Sequence, residues 1–138
     1  MVSKPLAEML ARNLSKFAPT YQAPPGLMQL ATKIRASGEG VVVLSCSDPR
    51  LNPYQILGLD SSLPATMVRN AGGRAFDAIR TLSVLQTIGR PGTIVVMHHT
   101  DCGMSHFHDA DVKRALLEIN PDAGELIQSM EFGEIKNG

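Results

Sequence analysis

The sequence predicts an α/β fold: a small parallel β-sheet flanked by helices, preceded by an N-terminal helical arm. Three observations predict it. Residues 41–45 form a continuous, largely β-branched run, the pattern of a strand buried on both faces. Further strand-like runs alternate with stretches whose apolar residues recur at helical spacing, which implies parallel strands joined by right-handed crossovers. The residues able to do chemistry fall just after the strands, where open parallel sheets bind ligands.

The elements follow in order. Pro5 suits the first turn of a helix, and Leu6, Met9, Leu10, Leu14 and Phe17 then repeat at helical spacing. The Pro-rich stretch from Ala18-Pro19 to Pro24-Pro25-Gly26 breaks it. A one-striped helix before such a break can pack on a partner or cover its own core, and the pattern leaves both readings open. Leu27, Ala31 and Ile34 mark a second helix ended by Ser37-Gly38, and residues 41–45 follow as the first strand. Asn52-Pro53 leads to a short helical patch over residues 54–57. Residues 66–69 read as a second strand closed by Asn70-Ala71-Gly72-Gly73. Ile79, Leu82, Leu85 and Ile88 give an amphipathic helix over residues 76–88, stopped by Gly89 and Pro91-Gly92. Residues 93–97 are a third, wholly apolar strand. Residues 109–119 read as helix, and Pro121 opens a last helical stretch to about residue 130.

A chain of 138 residues is expected to be one domain over 1–138, with 1–25 as the arm. Thirteen basic and thirteen acidic residues cancel. That balance argues against a nucleic-acid partner, which needs a clustered positive excess, and offers little resistance to self-association. No apolar run reaches the roughly 18 residues of a membrane span, and the N-terminus lacks the apolar core of a secretory signal. A cytosolic location is therefore expected, with thiols free or metal-bound rather than oxidised. Residues 1–17, amphipathic with Lys4, Arg12 and Lys16, keep a mitochondrial presequence open, although Glu8 counts against it.

The two cysteines stand out. Cys46 lies in Cys46-Ser47-Asp48-Pro49-Arg50 after the first strand, and Cys102 in His98-His99-Thr100-Asp101-Cys102-Gly103 after the third. Two thiols and an imidazole are the ligand set of a catalytic zinc site that keeps its fourth position open. Cys46, His99 and Cys102 supply that set, and Zn2+ is the expected cofactor. The competing reading of each thiol is an inert buried cysteine. His99 is preferred to His98 by its spacing from Cys102; strand neighbours point to opposite faces, which leaves His98 a structural or surface role. Asp48 and Arg50 can form a dyad beside the metal, with Asp48 either accepting a proton from bound water or serving as a fourth ligand in a closed state. The alternative is a turn aspartate with a solvated arginine. The glycines of Arg69-Asn70-Ala71-Gly72-Gly73-Arg74 lack Rossmann or Walker spacing and read as a place of close backbone approach. A thiol phosphatase would need an arginine where Asn52 stands, and a dithiol oxidoreductase would need Cys-x-x-Cys. His106 and His108 could relay protons or simply lie on the surface.

These segments, Cys46-Ser47-Asp48-Pro49-Arg50, Arg69-Asn70-Ala71-Gly72 and His99-Thr100-Asp101-Cys102-Gly103, resemble the three signatures of the β-class carbonic anhydrases, over roughly residues 25–115. The resemblance is nearest the compact branch, which also contains carbonyl sulfide hydrolases. It implies zinc held by Cys46, His99 and Cys102, with Asp48 and Arg50 as catalytic dyad. It implies hydration of carbon dioxide to bicarbonate by a zinc-bound hydroxide, with carbonyl sulfide hydrolysis to carbon dioxide and hydrogen sulfide as the alternative. A non-catalytic zinc-stabilised dimer is the third reading. It implies a homodimer with N-terminal helices wrapped on the partner, often paired into a homotetramer. Two departures stand against it: Pro49 replaces the usual Ser or Ala and can stiffen the loop, and the family ordinarily continues past residue 138 through another helix and a further strand. The C-terminal strand is thus expected to be missing.

Overall fold

The computed structural model describes residues 1–136, which fall into two compact units, residues 1–30 and residues 31 onward. In the first unit, α1 spans Lys4–Arg12, capped by Ser3, whose Oγ accepts from the Leu6 N–H at 3.4 Å. Pro5 occupies its first turn and Glu8 pairs with Arg12 one turn on. The helix then loosens into a π-helical turn, Asn13–Phe17, and a 3-10 turn, Ala18–Thr20, before the proline-rich break. No residue of these three segments is buried; the stripe Leu6, Met9, Leu10, Leu14 and Phe17 is exposed.

α2 (Leu27–Ser37) begins at the end of the first unit and ends at Gly38, whose φ of 67° is the left-handed stop expected of glycine. The second unit is built on β1 (Val41–Cys46), β2 (Thr66–Asn70) and β3 (Thr93–Met97), in the order β2-β1-β3 and all parallel. The central strand is the buried one. Val42, Val43, Leu44, Ser45 and Cys46 are all buried, as the β-branched run predicts, and each full apolar side chain contributes about 1.5–3 kcal/mol. β3 differs from β1 although both are apolar: Ile94 and Val96 remain about half exposed, so one face of this strand is uncovered.

Four of the connecting helices carry most of the rest: α4 (Ile79–Gly89), entered through a 3-10 turn at Phe76–Ala78, then α5 (Gly103–His106), α6 (Asp109–Ile119) and α7 (Gly124–Ser129). A short α3 (Pro53–Ile56) is capped by the Asn52 side chain. No helix among the described residues is long and apolar enough to cross a membrane. Register is what positions the site. Cys46 pairs with Asn70, and Ser45 with both Arg69 and Met97, so the loops leaving all three strands emerge side by side at one edge.

Candidate metal centre

The three ligand candidates converge. One ligand atom each from Cys46, His99 and Cys102 lies within 4.8 Å of the others, and the two sulfurs are 3.8 Å apart with no disulfide between them. Cys46 ends β1, while His99 and Cys102 sit on the loop after β3, so the parallel register brings together residues 53 or more apart in sequence.

The donor set fits a metal ion. His99 Nδ1 lies 2.8 Å from the Thr100 carbonyl oxygen, which can only accept, so in the neutral ring Nδ1 carries the hydrogen and the Nε2 lone pair is free. That Nε2 is buried and makes no hydrogen bond, and one ligand atom each of His99, Cys46 and Cys102 lies within 4.8 Å of the others. Burial pushes the Cys46 thiol up, but His99, the N–H groups of Asp48 and Gly72, and Cys102 outweigh it, so the net shift is down. Burial dominates at Cys102 and holds that thiol up. His99 is raised, chiefly by Cys46. A cation held by the cluster would need Cys102 ionised and the His99 Nε2 lone pair free.

The loops are braced from below. Gly73, at φ 63°, lies where a Cβ would come within 3.1 Å of the Cys46 nitrogen and 3.2 Å of the Met97 carbonyl, so glycine lets this loop close over the ends of β1 and β3. Asn70 staples the same loop: its Oδ1 accepts from Arg74 N–H at 2.8 Å and its Nδ2 donates to Arg74 O at 2.9 Å. Arg69 donates to the carbonyls of Cys46, Asp48 and Leu51, fixing the loop that carries the dyad. His98 turns away and reaches the Gly73 carbonyl at 3.2 Å.

Asp48 and Arg50 meet beside the ligand cluster. Arg50 donates from Nε and Nη2 to the Asp48 carboxylate, and its backbone N–H also donates to Oδ1 at 2.9 Å. These contacts hold the Asp48 carboxyl well below the usual carboxylate range and raise the guanidinium in turn. Asp48 Oδ2 is 3.9 Å from His99 Nε2. Two residues that sequence reasoning did not connect to the dyad also belong here. Asp101 accepts from Arg50 Nη1 at 2.9 Å, and His106 Nε2 lies 2.6 Å from the other Asp101 oxygen. His108 instead pairs with Glu134, apart from the dyad.

No protein-family model matches the chain. It is 40% identical over 77 residues to β-carbonic anhydrase 1 of Mycobacterium bovis, covering 55% of this chain and 47% of that protein. It is 35% identical over 85 residues to the carbon disulfide hydrolase of Saccharolobus solfataricus, covering 61% of this chain and 41% of that one. Among solved structures, the carbonic anhydrase of Streptococcus mutans superposes with a TM-score of 0.70 at 29% identity, over 99% of this chain and 76% of that one. The chain resembles the β-carbonic anhydrases in sequence and fold. It spans about half the length of the curated relatives it matches, and its sheet and N-terminal helix are those of the family fold. Proteins of both names, carbonic anhydrase and carbon disulfide hydrolase, are among those it resembles.

Proposed function

We propose that this protein is a zinc-dependent hydratase converting carbon dioxide to bicarbonate, with Cys46, His99 and Cys102 as the metal ligands and Asp48 and Arg50 as the catalytic dyad. The observation that carries the reading is the approach of an ionised, arginine-held carboxylate to 3.9 Å from the nitrogen of a thiol-imidazole-thiol cluster. Zinc bound there supplies the Lewis acidity that makes water a nucleophile near neutral pH.

The chain's own residues do the rest. Asp48 is kept ionised by Arg50 and is an acceptor throughout the working range, able to take a hydrogen bond from the attacking water and orient it. Arg50 donates to both Asp48 oxygens, Nε to Oδ1 and Nη2 to Oδ2, which supports a carboxylate engaged by the guanidinium rather than one spent as a fourth ligand. The non-catalytic, closed reading is therefore disfavoured. The carbon of carbon dioxide takes the oxygen of water, and the proton lost passes to solvent. The exposed apolar stripe of α1 supports assembly as a homodimer, or a homotetramer built from two, and we place the enzyme in the cytosol.

A second reading has its own support. Four relatives are named carbon disulfide hydrolase, so sulfur-for-oxygen analogues of carbon dioxide react on this scaffold, and carbonyl sulfide is the alternative substrate. The test is paired turnover on zinc-loaded protein: carbon dioxide hydration by stopped flow beside sulfide release from carbonyl sulfide. Faster hydration is expected. Faster sulfide release would replace the first reading by the second, and silence on both would overturn them together.

A further inference from the structure

Resting on the reading of Asp48 and Arg50 as the working dyad, we infer that Asp101 and His106 are positioning residues that set the dyad's geometry from outside the metal cluster. The four side chains form one hydrogen-bonded line. His106 Nε2 lies 2.6 Å from Asp101 Oδ1, Arg50 Nη1 donates to Asp101 Oδ2 at 2.9 Å, and Arg50 Nη2 reaches both the Asp101 carbonyl at 2.8 Å and Asp48 Oδ2 at 2.6 Å.

The need for such a line follows from exposure. The Arg50 side chain is 60% exposed, and a solvated arginine held by one carboxylate two residues away samples many geometries. Asp101 removes that freedom, because it gives the guanidinium a second anchor on a different loop, 51 residues distant. Both its side-chain and main-chain oxygens point at Arg50. That double aim requires Asp101 to adopt φ 52°, the left-handed region that aspartate tolerates better than most residues. His106 completes the arrangement. It takes the Asp101 oxygen that Arg50 leaves free, so the carboxylate cannot rotate away. The turn carrying His106 is itself tied down at Cys102, whose carbonyl accepts from the N–H and the hydroxyl of Ser105.

Loss of the second anchor frees Arg50, and with it Asp48, which then competes for the fourth metal position. The test compares Asp101→Asn, His106→Ala and His106→Gln with the parent, each loaded with zinc for turnover and with cobalt for visible absorption. Asparagine tolerates the same backbone but offers one acceptor oxygen where two are used. Asp101→Asn is expected to lower kcat by roughly 10–100-fold, the range for partners that orient a metal site, with KM little changed. Its cobalt spectrum should shift, and the shift should disappear when Asp48→Asn is added. His106→Ala should show a smaller loss of the same kind, and His106→Gln, which keeps an N–H for Asp101, should recover most of it. Asp101→Asn with the parent's cobalt spectrum and turnover within about twofold of parent would overturn the inference, being well inside that range. If Asp101→Asn does not fold, the two His106 variants decide by the same readouts: equal behaviour of Ala and Gln sinks the proposal. A parent silent on both substrates overturns the proposed reaction alone, because the cobalt comparison still reads the position of Asp48.

Discussion

Arg50 grips Asp48 along the edge of the carboxylate, with Nη2 at 2.6 Å from Oδ2 and Nε at 3.0 Å from Oδ1. The grip keeps a carboxylate ionised beside the cluster of Cys46, His99 and Cys102. It is a geometry that lysine cannot copy, because an ammonium is a point charge without the planar fork.

Asp48→Asn should therefore abolish most turnover while zinc stays bound at one per chain, since none of the three ligands is touched. Arg50→Lys should fall between Asp48→Asn and the parent. Metal content by elemental analysis beside stopped-flow rates checks both, and an Asp48→Asn enzyme at parental speed would remove Asp48 from the mechanism.

Cys102→Ser should weaken zinc binding by more than the roughly 10–100-fold that an outer partner is worth, because it deletes a ligand outright. Zinc affinity should also fall with pH. His99 and Cys102 both hold their protons more tightly than usual, so acidification lets protons compete with the metal. Chelator competition at several pH values measures this, and an affinity flat with pH would contradict the assignment of those ligands.

Gly73→Ala should destabilise the fold by roughly 1–3 kcal/mol, the cost of holding a side chain in the left-handed region, before any clash is counted. The added Cβ would meet the backbone of Ser45 and Cys46 at 3.1 Å, so zinc affinity should drop as well. Chemical denaturation of the apo and zinc-loaded variants separates the two effects.

His108 pairs with Glu134 rather than with the dyad and gives a pH signature of stability. Glu134 raises its pKa, so the pair's contribution is fully present below the unfolded value of about 6.5 and is lost as pH rises through the raised folded value. His108→Gln should then lower the melting temperature more at about pH 5.5 than at about pH 8.5, either side of that reference value. An equal loss at both pH values would show that the pair is not ionic.

Much of this architecture is legible in the sequence, because burial writes itself into composition. β1 reads as a central strand since both its faces must be apolar, and Val42, Val43 and Leu44 are indeed buried. The clustering of Cys46 with His99 and Cys102 follows from a parallel sheet whose strands all deliver their ends to one edge. β3 shows the rule's weakness: its composition matches that of β1, but Ile94 and Val96 keep one face uncovered. Asp101 was invisible for a different reason. Its partner Arg50 lies 51 residues away, and it stands between two ligand candidates, His99 and Cys102, that account for the motif without it. The one-turn helix at Gly103–His106 is likewise too short to show a period.

The proposed centre is a metal held by two thiolates and one imidazole, with a fourth position left to solvent. X-ray absorption at the zinc edge of the loaded protein tests it most directly. Two sulfur scatterers at about 2.3 Å and two light scatterers at about 2.0–2.2 Å, one of them an imidazole, are expected. Asp48→Asn should leave that spectrum unchanged, because the fourth scatterer is not its carboxylate. Fewer than two sulfurs, or loss of the fourth scatterer in Asp48→Asn, would rule out this ligand set or its open fourth position.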